Sequence, residues 1–174
     1  MDLEYEHFRH MKDEFFVSDP HSPLTPGQKV DFEGLSYYPI NEALHLDLEV
    51  EEFEDKEIIQ MQTSTGDMQS YERWGKIRFE VDSEPAELTV FANQHGLFLP
   101  FTDATSGKET YGAGRYLEPE HLSGGKVRVD FNLAYNPYCV YSPYFSCPIP
   151  PFENRLRVPI RAGEKNPEGE WIAH

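Results

Sequence analysis

Residues 126–164 read KVRVDFNLAYNPYCVYSPYFSCPIPPFENRLRVPIRAGE. Val127, Val129, Phe131, Leu133 and Tyr135 alternate with Lys126, Arg128, Asp130 and Asn132, the period-two pattern of a strand with one apolar and one polar face. The pattern returns further on, where Leu156, Val158 and Ile160 alternate with Arg155, Arg157 and Arg161. Between the two runs lies a Pro- and Tyr-rich loop that holds both cysteines, Cys139 and Cys147, and ends in Glu153-Asn154-Arg155. Pro148, Pro150 and Pro151 stiffen its exit by fixing φ. Two alternating runs joined by a stiff loop predict a β protein.

Upstream segments agree. Leu44, Leu46, Leu48 and Val50 alternate with His45, Asp47, Glu49 and Glu51, as in a half-buried strand. Residues 58–63 form a short β candidate, closed by Ser64-Thr65-Gly66-Asp67. The run from Tyr71 to Val81 turns at Asp82-Ser83-Glu84-Pro85 into Leu88, Val90 and Ala92, and then at Asn93-Gln94-His95-Gly96 into residues 96–101. The expected fold is mainly β, an antiparallel barrel-like sandwich, with an N-terminal amphipathic helix over 1–17 and a β core over 30–165 in a single domain spanning 1–174. On that helix Leu3, Phe8, Met11 and Phe15 share helical spacing and are expected to dock on the sheet. Ser18-Asp19-Pro20 ends it, and Pro20, Pro23 and Pro26 make an extended connector.

The acidic residues number 31 and the basic ones 15, a formal net charge of −16. Such a surface repels nucleic-acid phosphates, and no dense Lys/Arg patch offsets it, so a nucleic-acid partner is not expected. The acidity suits either an ordinary solvated surface or a high-salt cytoplasm that screens self-repulsion. No apolar run reaches the length of a bilayer span, and MDLEYEHFRH is not a secretory signal, so a cytoplasmic protein without a membrane partner is expected. Its oligomeric state is not legible.

The candidate ligand site draws on three stretches. The polar loop FTDATSGKETYGAGRYL, residues 101–117, offers Asp103, Thr105, Tyr111 and Arg115. The first alternating strand offers Asp130 and Asn132, spaced about 6–7 Å apart on one face. The C-terminal loop offers Cys139, Cys147, Glu153, Asn154 and Arg155. Arginine is a rigid fork matched to carboxylates and phosphates, so these arginines either pair internally with Asp103, Asp130 or Glu153, or line a pocket for a small polar or anionic ligand. The cysteines are structural thiols or a disulfide, metal ligands completed by His95, His121 or an acidic residue, or one is a nucleophile. No metal site and no cofactor is assigned. The leading expectation is a small-molecule-binding protein. The alternatives are a hydrolase using Cys139 or Glu153, with or without a metal, and a self-paired structural clasp.

FTDATSGKETYGAGRYL, DFNLAYNPYCVYSPYFSCPIPPFENRL and the closing AGE resemble the uncharacterised prokaryotic family known as domain of unknown function 1684. Ser22-Pro23-Leu24 and FEGLSYYPIN from Phe32 resemble its N-terminal part, so the similarity spans nearly the whole chain. The resemblance implies one compact domain and carries no assigned activity or catalytic residue. Asp130, Asn132, Asn136, Cys139, Cys147, Glu153, Asn154 and Arg155 match the family's pattern.

Overall fold

A computed structural model describes residues 2–167. Helix α1 (Asp2–Ser18) and a short α2 (Pro26–Asp31) precede the sheets. Thr25 and Gln28 form a reciprocal capping box at the start of α2, and Pro26 occupies the first turn, where its missing N–H costs nothing. Among the described residues no helix is long and apolar enough to cross a membrane.

Among the described residues nine strands follow: β1 (His45–Glu49), β2 (Glu51–Glu52), β3 (Ile58–Gln62), β4 (Met68–Val81), β5 (Glu84–Asn93), β6 (Gly96–Phe101), β7 (Arg115–Leu117), β8 (Glu120–Leu122) and β9 (Lys126–Asp130). All ladders between them are antiparallel. One sheet has the order β1-β9-β8; the other runs β2-β4-β5-β6-β7, with β3 also paired to β4. The two sheets face each other as a sandwich and do not close into a barrel. The mainly β, antiparallel sandwich expected from the sequence is what the structure has, and its sheets stay open: β7 and β8 are three residues each, and they belong to different sheets.

The core lies between the layers. Ile77, Leu88, Val90 and Leu99 from the larger sheet meet Val127 and Val129 from the smaller one and Phe131 just past the end of β9, all essentially without solvent contact. Phe131 packs on Phe79 and Phe101, with ring centroids 5.4 Å away in each case. Each such side chain contributes roughly 1.5–3 kcal/mol through burial.

Two expected strands are shorter or less regular than their alternation suggests. The strand from Lys126 ends at Asp130, because the Asp130 carboxylate accepts the Asn132 N–H and caps a 3-10 turn over Phe131–Leu133. Asn132 therefore leaves the row formed by Arg128 and Asp130. The run from Arg155 to Arg161 keeps its inward and outward faces, with Val158 and Ile160 buried and Arg155, Arg157 and Arg161 exposed. It forms no strand of its own, only an isolated parallel bridge between Thr102 and Arg155 and backbone bonds between residues 102–104 and 154–158.

The largest departure concerns α1. Tyr5, Arg9, Lys12 and Phe16 form its docked edge, and Tyr5 and Phe16 are buried. The stripe expected to dock is turned elsewhere: Leu3, Phe8 and Met11 are exposed.

Candidate functional site

Most of the residues singled out in the sequence fall into two groups. The first is a clasp. Arg115, 1% exposed, donates to the carbonyls of Ile160 (2.8 Å), Ala162 (2.5 Å) and Glu164 (3.1 Å), and lies 3.6 Å from Asp103. Asp103 accepts the Thr105 hydroxyl at 2.9 Å and the Ile160 N–H at 2.5 Å. Burial lowers the Arg115 pKa, and the charge of Asp103 opposes that shift. Asn154 is equally spent: its side chain receives the Thr89 N–H and donates to the Thr89 and Pro100 carbonyls. These groups sew the C-terminal segment onto β5 and β6.

Glu153 lies at the surface in a forked pair with Arg73, with bonds of 2.8–3.2 Å. Arg155 is exposed and stacks its guanidinium 5.1 Å from the Phe152 ring centre. Neither meets Arg115 or Asp130.

The second group borders a cleft of about 1080 Å³. Its walls are α1 (through Phe8, Met11 and Phe15), the corner between β7 and β8, the end of β9 with Leu133 and Tyr135, and residues 137–148 of the C-terminal loop. Asp130 and Cys147 line it. Asp130 is buried; it accepts the Tyr5 hydroxyl at 2.5 Å and the Asn132 amide at 3.0 Å. Tyr5 also lies 3.4 Å from His45 Nδ1. Burial, followed by the carboxylate of Asp130, pushes the Tyr5 phenol well above its ordinary pKa. Asn132 is held in turn by exchanging hydrogen bonds with the Asn41 backbone.

Cys147 belongs to the cleft wall, and Cys139 packs beside it. Both are buried beside Tyr116, without a disulfide, and the Tyr111 hydroxyl lies 3.6 Å from Cys139 Sγ. The adjacent Cys139 thiol, and then burial, push the Cys147 thiol far above its ordinary value. An activated nucleophile needs the opposite shift. Among the described residues no group of three or more His, Cys, Asp and Glu side chains is placed to hold a metal ion.

Sequence reasoning passed over Tyr5, Phe8, Met11 and Phe15 as site residues. A signal was available. Helix α1 carries apolar side chains at 5 and 16 and again at 8, 11 and 15, two stripes about 100° apart, which is more than one docked face requires.

A family model described as "Protein of unknown function (DUF1684)" matches residues 30–165. The chain belongs to that family. The matched region contains every strand and both halves of the clasp, while α1, one wall of the cleft, lies before it. A solution NMR structure of an uncharacterized protein from gene locus rrnAC0354 of Haloarcula marismortui is similar along its length. It is 37% identical with a TM-score of 0.70, and the match covers 94% of this chain and 93% of that one. Comparison with curated proteins finds no match.

Proposed function

We propose that this member of the family is a cytoplasmic small-molecule-binding protein whose site is the cleft under α1. The observation that carries the reading is the apolar stripe of that helix. Phe8 is 43% and Met11 54% exposed, yet both border a concave cleft opposite Leu133, Pro137 and Tyr138. Apolar surface left in water forgoes roughly 25 cal/mol for each Å². An occupant of that cleft would recover this on binding, which is how pockets of this size hold their ligands. A reducing cytoplasm suits two adjacent buried thiols that remain unbridged.

The hydrolase alternative has no such support. Glu153 is already matched by Arg73 at the surface, and Cys139 is buried beside Cys147 with the Tyr111 hydroxyl 3.6 Å from its Sγ.

Amide chemical-shift mapping against a library of small apolar molecules tests the reading. Shifts should cluster on residues 4–15, 116–120 and 145–148. Shifts confined to the clasp around Asp103 and Arg115, or no binders at all, would overturn it.

A further inference from the structure

The charges around the cleft restrict what it can hold. Four carboxylates line it, Glu4, Glu118, Glu120 and Asp130, against two cationic side chains, Lys12 and Arg128. Both cations are engaged. Lys12 is bound to Glu164, and Arg128 forms a forked pair with Asp47 at 2.9 and 3.3 Å. Arg115, the residue best suited to an anion, is buried and consumed by three backbone carbonyls. A carboxylate or phosphate entering the cleft would lose its hydration and meet an acidic rim with no cation held ready for it.

The walls favour the opposite sign. Aromatic rings from Phe8, Phe15, Tyr116, Tyr135, Tyr138 and Phe145 border the space. One of them already supports a cation: Lys12 Nζ lies 4.9 Å from the Tyr135 ring centre. The Tyr135 hydroxyl donates to Glu118 at 2.8 Å, a bond that enriches the ring's π face in electron density. Aromatic faces backed by carboxylates are the surroundings in which ammonium groups are recognised. The protein's net charge of −16 raises the local concentration of such a ligand and speeds its arrival.

We infer that the cleft takes an organic cation, an apolar body carrying an ammonium group, with the body against Met11 and Leu133 and the charge toward the Glu118 and Glu120 carboxylates. The inference rests on the binding role proposed for this cleft, and it replaces the polar or anionic ligand expected from the arginines between Arg115 and Arg161.

Three probes with the same alkyl chain, kept below their micelle-forming concentrations, separate the two claims. One carries a trimethylammonium head, one a neutral sugar head and one a carboxylate, and each is titrated calorimetrically in moderate salt. The expected result is that the ammonium and neutral probes bind, and that the ammonium probe binds about tenfold or more tightly than the carboxylate. Glu118→Gln combined with Glu120→Gln should cut the ammonium affinity several-fold while leaving the neutral probe unchanged. Met11→Trp fills the cleft from an exposed position and should abolish binding of both. If the neutral probe binds and the carboxylate equals or exceeds the ammonium, the cation inference fails while the cleft reading stands. If ammonium binding survives Met11→Trp, it is non-specific attraction to the acidic surface, and the inference fails. If no probe binds, both fall.

Discussion

Arg115 and Arg155 show how little an arginine's position in the sequence says about its work. Both flank polar loop residues, and both were candidates for the same pocket. Arg115 is buried and bonded to three carbonyls beside Asp103, whereas Arg155 is exposed on the Phe152 ring. Truncating the first strands a buried carboxylate and three acceptors; truncating the second exposes a ring that is already wet. Arg115→Ala is therefore expected to lose about 3–5 kcal/mol of stability, and Arg155→Ala to stay within about 0.5 kcal/mol. Urea unfolding of the two variants checks this, and similar midpoints for both would refute the clasp. Alternation indicated which way Arg155 points. It could not say whether the outward face met water or another segment, because that depends on where residues 101–117 and 155–164 cross.

At the scale of elements, the hairpin between β4 and β5 was legible because its turn chemistry is local. Val81 pairs with Glu84, leaving Asp82 and Ser83 as the two-residue loop, with φ of 50° and 68°. Left-handed backbone costs a residue with a Cβ roughly 1–2 kcal/mol, so Ser83→Gly should stabilise the protein by about 1 kcal/mol. A thermal melt that moves down instead of up would show that the Ser83 side chain contributes more than its backbone costs. Long-range elements were harder to read. Strand β9 stops at Asp130 through a side-chain cap, a choice that competes with continued pairing and leaves the alternation pattern intact. Helix α1 was found from its periodicity, but its docked face was not, since the Leu3-Phe8-Met11-Phe15 stripe is more apolar than the Tyr5-Arg9-Lys12-Phe16 edge that the core accepts. That edge is chosen by polar partners remote in sequence: Asp130 for Tyr5, the Tyr38 carbonyl for Arg9 and Glu164 for Lys12. The cleft was invisible for the same reason, as its walls come from segments more than a hundred residues apart. Close packing at Gly163 belongs to this level too. Its φ is +80°, and a Cβ there would lie 2.6 Å from the Ala134 carbonyl oxygen, so the clasp closes only over glycine.

For the whole molecule, charge and buried phenols set how stability responds to solution conditions. With 31 acidic residues against 15 basic ones, self-repulsion opposes the compact state, and salt shortens its range from about 30 Å at 0.01 M to about 3 Å at 1 M. The urea midpoint is expected to rise from low to molar KCl; a flat response would mean that the acidity is locally compensated. Alkaline pH acts through different groups. Burial raises Tyr116, Tyr135 and Tyr141 well above the ordinary phenol value of 10.0, and burial with the Glu109 hydrogen bond brings Tyr38 to about 12. Above pH 10 the unfolded chain gives up these protons while the folded one keeps them. The native state then binds more protons, so stability falls with rising pH, by about 1.4 kcal/mol per pH unit for each such tyrosine, until its folded pKa is reached. Below pH 10 the same groups contribute no slope. Since phenolate formation also adds negative charge, the measurement belongs in molar KCl, where general repulsion is screened and the proton linkage remains. Tyr116→Phe, which removes one buried phenol and its bond to the Pro148 carbonyl, should lower stability at neutral pH yet flatten the decline above pH 10 by about 1.4 kcal/mol per unit. Parallel declines in the parent and the variant would show that Tyr116 ionises with the folded chain still intact.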